Sequence, residues 1–163
     1  MLSRTLSILA FCLLAGCASP PPLPAADPAL QLPSQLHLQR SDARGVEDSV
    51  LVIQREGDAL RWSQLDLIGM PLARQLLRGH TWQADGFLAP NPAARELFAA
   101  LLFALQPQGT LAAQYPSAES GAQWRRLGKR WAVHYQLPQA FTLDLGEGLS
   151  YHVSPLPSET PAP

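Results

Sequence analysis

From Trp131 to Ser154 the chain alternates apolar and polar residues almost without a break. Trp131, Val133, Tyr135 and Leu137 alternate with Ala132, His134 and Gln136; after Pro138, Phe141, Leu143 and Leu145 alternate with Thr142 and Asp144. Beyond Gly146-Glu147-Gly148, Leu149, Tyr151 and Val153 alternate with Ser150, His152 and Ser154. Successive side chains of a strand point to opposite faces, so this pattern dictates three strands with one greasy face and one wet face. The turn signals between them make an antiparallel meander. A sheet of this kind must cover its greasy face, and that requirement constrains everything upstream.

The upstream chain supplies more strands and one cover. "QLHLQR" sets Leu36 and Leu38 against Gln35, His37 and Gln39, while "SVLVIQR" is a β-branched run that stops at Glu56-Gly57-Asp58. "ALRWSQLDL" follows as a hairpin partner, with Leu60 and Trp62 on one parity and Leu65 and Leu67 on the other, which predicts a bulge near Ser63-Gln64. "PLARQLL" and "HTWQAD" come next, split by Arg78-Gly79 and closed by Asp85-Gly86; "AQWRRL" adds a strand before the meander through Gly128-Lys129. One segment breaks the rhythm. Asn91-Pro92 caps a helix whose Leu97, Phe98, Leu101, Leu102 and Leu105 share a stripe and which ends before Pro107; a further helical turn is expected in "TLAAQY", 110 to 115. The expected fold is mainly β (α+β): a curved antiparallel sheet or unclosed half-barrel of about 8–9 strands, covered by one main amphipathic helix.

The two ends of the chain differ in kind from this domain. Met1 to Arg4 give a cationic start and Leu6 to Ala15 an apolar run, too short for the roughly 20 residues that span a bilayer. It reads as the h-region of a signal peptide, residues 1–16. Leu14-Ala15-Gly16-Cys17 resembles the lipobox of bacterial lipoproteins. That resemblance implies cleavage before Cys17, a diacylglycerol on its sulfur, acylation of the new amino group and, with Ala18 rather than aspartate following, the outer membrane, facing the periplasm. Three acyl chains exceed the two signals that stable anchoring needs. Cys12 would leave with the signal peptide, so no intrachain disulfide is expected. Residues 17–33 contain Pro20, Pro21, Pro22, Pro24, Pro28 and Pro33 and read as an extended stalk. The domain is expected over 34–154, and 155–163 as a disordered tail.

Several function classes find no support. With 12 Lys and Arg against 13 Asp and Glu and no basic stripe, nucleic acid is not an expected partner. Neither a G-x-S-x-G elbow nor a paired-histidine motif occurs, Ser120 in "AESGA" lacks a strand-turn-helix context, and Gly146-x-Gly148 lacks a following helix. His37, His80, His134 and His152 are scattered, and the meander brings at most His134 near His152, which is too few for a metal site. Asp66 and Asp144, each between apolar neighbours on a strand, read as solvent-facing. No enzyme, metal or cofactor is expected.

Lipobox, proline-rich segment, curved sheet and helical insertion before a final meander together resemble LolB, the outer-membrane lipoprotein receptor. They resemble still more the short LolB-like lipoproteins that accompany aryl-polyene biosynthesis. The likeness covers roughly residues 34 to 154 and one local motif, "LDLIGMPLARQLL". In LolB an Asn-Pro-Leu-Gly turn presents a protruding leucine that moves cargo into the membrane. The matching residues are Met70, Pro71 and Leu72, with Met70 in place of the asparagine and Ala73 in place of the glycine. The resemblance further implies a greasy cavity between sheet and helix, with Trp62, Leu65, Leu67, Phe98, Leu101, Leu102, Trp131, Tyr135 and Phe141 as its lining. Taken alone, without the resemblance, these residues favour a filled core over a cavity. The cluster Arg125, Arg126, Lys129 and Arg130, beside Trp124 and Trp131, reads as a basic patch for anionic headgroups or an acidic partner, or as a solvated hairpin tip. The expected function is non-enzymatic: a monomer held to the outer membrane by acylated Cys17, taking acyl chains or lipidated cargo from a LolA-like periplasmic carrier and assisting transfer of lipoproteins or of an aryl-polyene glycolipid to that membrane. The alternative is a scaffolding envelope lipoprotein with a filled core and no ligand.

Overall fold

The computed structural model describes residues 19–156. Ten strands form one sheet: β1 (Ser34–Asp42), β2 (Gly45–Glu56), β3 (Ala59–Leu65), β4 (Pro71–Arg78), β5 (Thr81–Ala84), β6 (Ala118–Ser120), β7 (Trp124–Leu127), β8 (Trp131–Leu137), β9 (Ala140–Asp144) and β10 (Ser150–Pro155). Their order is β5-β4-β3-β2-β1-β10-β9-β8-β7-β6, every neighbouring pair is antiparallel, and β5 and β6 remain unjoined edges. The mainly β, unclosed half-barrel expected from the period-two patterning is therefore the fold, with ten strands rather than eight or nine. The additional strand, β6, is three residues long, too short for alternation to reveal.

Strand parity sets the core. Leu36 and Leu38, Leu51 and Ile53, Leu60 and Trp62, Trp131 and Val133, Phe141 and Leu143, and Tyr151 and Val153 all face inward and are buried. The parity conflict in β3 resolves at a register shift between Gln64 and Leu65. Gln64 pairs with Ala73 and Leu65 with Pro71, so the extra residue is Leu72, on β4.

Helix α1 (Pro92–Leu105) lies against this face. Asn91 caps it by accepting from the Ala94 N–H at 3.1 Å, and Pro92 takes the first helical position, where no N–H is needed. The expectation of an amphipathic stripe needs correction: every residue from Leu97 to Ala104 is buried. A helix that is apolar all round is one enclosed on all sides. The cover opposite the sheet comes from helix α2 (Leu111–Gln114), with Leu111 and Tyr115, and from the proline-rich segment. That segment is not a free stalk over residues 19–33. Pro24 and Pro28 are buried, and Leu23, Leu30 and Leu32 pack on the core. The Ala25 N–H donates to the Gln114 carbonyl at 3.0 Å, His80 Nε2 lies 2.9 Å from the Pro24 carbonyl, and Arg130 donates to Ser19 Oγ and O at 3.0 Å. Proline removes donors but not the ability to dock, so the segment serves as a strap across the open side. Residues 1–18 and 157–163, with the expected signal peptide, Cys17 and most of the tail, lie outside the described residues.

Antiparallel succession sorts the turns onto two ends. The β1–β2, β3–β4, β7–β8 and β9–β10 turns share one end; the β2–β3, β4–β5, β6–β7 and β8–β9 turns share the other.

Candidate functional site

The space between sheet and helix is filled at its middle. Trp62 stacks on Phe98 with ring centroids 5.4 Å apart, Trp82 stands edge-on to Trp62 at 5.9 Å, and Phe103 meets Tyr115 at 5.1 Å and Trp131 at 5.8 Å. Trp62, Phe98, Leu101, Leu102, Trp131 and Phe141 are all fully buried in this cluster, so they form solid core and do not line a cavity. Leu65 is half-buried and Leu67 is exposed on the β3–β4 loop. Of the nine expected lining residues, Tyr135 alone belongs to the wall of the cavity described below. The bulky aromatics that suggested a cavity wall instead interdigitate, as side chains of this size do when facing layers are both large.

The open space lies at the C-terminal end of α1. A cavity of about 630 Å³ is bounded by the strap at Ala29–Gln31, the chain 104–108, the β6–β7 turn with Arg125, and the β8–β9 hairpin from Tyr135 to Gln139. Its walls mix Leu30, Leu105 and Leu137 with glutamines and one arginine. Leu137 is 65% exposed at the rim. On the neighbouring turn the Trp124 indole covers Gly121, where an added Cβ would come within 2.3 Å of Nε1. Trp124 can lie there only because that position carries no side chain.

Arg125 is the polar centre of this wall. It is 5% exposed, faces inward beside Leu127 on β7, and meets no carboxylate among the described residues. Nη1 donates to the Phe103 and Gln106 carbonyls at 3.0 and 2.9 Å, and Nη2 donates to Gln108 Oε1 at 3.1 Å. The first two bonds satisfy carbonyls at the end of α1, where the helix dipole favours a cation. The guanidinium also lies 5.0 Å from the Tyr135 ring centroid. Burial pushes its pKa below the ordinary arginine value, only partly opposed by Tyr135. Tyr135 in turn donates its hydroxyl to the Ala104 carbonyl at 2.6 Å, and burial raises its pKa, keeping it a neutral donor.

The expected basic patch therefore does not exist as a unit. Alternation along β7 sends Arg125 into the core and Arg126 out, where it pairs with Glu119 at 2.5 Å and lies over Trp124. Arg130 pairs with Glu96 at 2.6 Å, and Lys129 stands exposed at the turn. The W-R-R-L pattern held the signal, since Arg125 shares the parity of Leu127.

At the far end of the sheet the β3–β4 loop exposes a run of apolar side chains. Leu67 is 67% exposed, Ile68 81%, Met70 59% and Leu72 49%. Asp66 is not a solvent-facing strand residue, as expected, but the brace of this loop: Oδ1 accepts from the Ile68 and Met70 N–H groups at 3.0 and 2.8 Å. Its main chain pairs with Met70 and Gly69, and Gly69 adopts φ 87° to close the turn. Leu72, the unpaired bulge residue, points outward while Ala73 returns to the core. Met70 thus lies with Leu67 and Ile68 on an exposed apolar loop, which Pro71 and Leu72 continue at the exposed start of β4. Asp144 likewise braces its own turn, accepting from the Gly146 N–H at 2.7 Å. His134 and His152 both register with Thr142 of the intervening strand, about 10 Å apart by strand spacing, and no group of metal-ligating side chains occurs among the described residues.

Fold and site define a class of molecule: an unclosed β half-barrel around a buried helix, with an open cavity at one end and an apolar loop at the other. No family model matches the chain, and a search of characterised proteins finds no match.

Proposed function

We propose that this chain is a non-enzymatic, outer-membrane lipoprotein of LolB-like kind that binds acyl-bearing amphiphiles and assists their transfer to the membrane. The observation that carries this reading is the open cavity of about 630 Å³, which falls within the roughly 300–1,000 Å³ usual for small-molecule sites. Leucine side chains along its wall suit methylenes, whose burial is favourable and needs no directional partner. The braced apolar loop supports a membrane-facing end, because exposed apolar runs of this kind mark contact with another apolar phase. Ser19, two residues after the expected anchor at Cys17, is held by Arg130 at the β7–β8 turn, which belongs to the same end as the loop. An anchor leaving there would bring Leu67, Ile68, Met70 and Leu72 toward the bilayer. The cavity opens at the other end, toward the periplasm, where a LolA-like carrier would deliver cargo.

The test is fluorescence of N-phenyl-1-naphthylamine on the unlipidated chain. Saturable enhancement reversed by fatty acid is expected, and native mass spectrometry should find co-purified lipid. Absence of both would leave the scaffolding reading in its place.

A further inference from the structure

Resting on the acyl-binding reading above, we propose that the cavity is specific for single-chain amphiphiles with a carboxylate head, and that the head sits on Arg125 in the place now taken by the Gln108 side-chain amide. Arg125 is a buried cation with no carboxylate partner among the described residues. An arginine side chain has five N–H donors, and three are occupied by Phe103, Gln106 and Gln108. Nε has no partner at all. Beside it, Gln106 is 2% exposed, lines the same cavity, and leaves both its amide nitrogen and its amide oxygen without partners. Buried polar groups are nearly always satisfied, so a concentration of open ones on one cavity wall points to a missing group.

Gln108 shows what shape that group has. Its side chain reaches over from an exposed position, accepts from Arg125 Nη2 at 3.1 Å and donates to Ser120 Oγ at 3.0 Å. A planar amide is the neutral counterpart of a carboxylate, with one oxygen already on the guanidinium. A ligand carboxylate that swings Gln108 aside would supply the missing charge and a second oxygen for the open donors, forming the two-pronged pair that arginine favours. The chain of such a ligand would run toward Leu30, Leu105 and Leu137, the apolar part of the wall. A phosphate head has the charge but not the planar shape of the amide it would replace.

The proposal is tested by equilibrium dialysis at pH 8 of radiolabelled dodecanoate, dodecyl phosphate and dodecanol. The protein is the chain from residue 17 onward carrying Cys17→Ser, which retains every described residue. Dodecanoate is expected to bind at least ten-fold tighter than dodecanol. Gln108→Glu places a built-in carboxylate on Arg125. It should fold at least as well as the parent by thermal unfolding and should bring the acid-to-alcohol ratio close to one. Gln108→Ala, which empties the position, should preserve or raise that ratio. Equal affinity for acid and alcohol in the parent overturns the carboxylate assignment and leaves the acyl-binding reading standing. Tighter binding of dodecyl phosphate than of dodecanoate also overturns it, and binding of none of the three overturns the acyl-binding reading itself.

Discussion

Glu96, one turn into the helix, ties three parts of the molecule together. Its carboxylate accepts from Arg130 Nε and Nη2 at 2.7 and 2.6 Å and from Trp131 Nε1 at 2.7 Å, and the same Arg130 holds the strap at Ser19. Burial alone would raise the Glu96 pKa, but the hydrogen bonds from Arg130 and Trp131 outweigh it and hold the carboxyl below its ordinary range. A folded-state pKa below the unfolded one means stability that is fully present above the ordinary value of 4.5 and is lost as pH falls through the lowered folded value. Glu96→Gln should therefore cost about 1–3 kcal/mol at pH 7, with the gap to the parent closing below about pH 4. Thermal unfolding of both proteins from pH 7 to pH 3 checks this, and melting curves that stay parallel throughout would refute it. Leu101 makes a different point. On sequence alone it suited either a cavity or a core; in the structure it is fully buried in the filled centre. Leu101→Trp should thus overpack the core and lose about 1–3 kcal/mol, since its side chain does not line the cavity that begins one helical turn on, at Ala104 and Leu105. A variant of undiminished stability would mean that the centre holds unfilled space.

Among the elements, those with long alternation were legible and those fixed by docking were not. The meander from Trp131 to Ser154 declared its strands and its inward face because parity is a local property. The β3 bulge was legible for the same reason, although the extra residue is Leu72 on the partner strand. The strap was not. Its prolines correctly exclude helix and sheet, yet whether such a segment floats or docks depends on a surface assembled from distant parts of the chain. The same gap hid the all-round burial of α1, since Ala99, Ala100 and Ala104 look neutral until the strap and α2 cover them. The apolar loop was half legible: "LIGMPL" is too greasy for an ordinary turn, but a period-two reading placed Leu67 inside. Because Asp66 braces the loop through main-chain N–H groups, its tip side chains are replaceable without loss of fold. The pair Leu67→Asp and Ile68→Asp should change stability by no more than about 0.5 kcal/mol per site, and Leu72→Glu should behave alike. Each apolar side chain withdrawn from a bilayer forfeits up to about 1.5–3 kcal/mol, so vesicle binding of the unlipidated double variant should fall at least ten-fold. Liposome flotation with parallel thermal melts measures both, and a folded variant that floats like its parent would remove the loop from the membrane-facing surface.

For the whole molecule the consequence is a polarity of ends. The Ser19–Arg130 contact and the β3–β4 loop share one end of the sheet, while the cavity, the Trp124 turn and the β8–β9 hairpin share the other. The packed aromatics between them leave no straight passage from cavity to loop. On the proposed function, a ligand taken up at the cavity end would reach the membrane by release or by movement of the strap, rather than by sliding through the barrel. Joined to the proposed anchor, that arrangement predicts an orientation that can be measured on lipidated protein in outer-membrane-like vesicles. On the lipoprotein reading proposed above, Cys17→Ser should first abolish fractionation with membranes, since acyl chains there would carry the stable attachment. With Cys17 retained and lipidated, a fluorophore placed through an unnatural amino acid at Ile68, 81% exposed, should be quenched by a quencher carried on lipid acyl chains and shielded from aqueous iodide. The same fluorophore at Leu137, 65% exposed beside the cavity, should show the reverse. Charge repulsion between iodide and anionic headgroups would only widen the first contrast, so a neutral aqueous quencher such as acrylamide serves as the control. Equal quenching at both sites would mean that the molecule lies along the membrane, and lipid-borne quenching at Leu137 alone would mean that the cavity, not the loop, faces the bilayer.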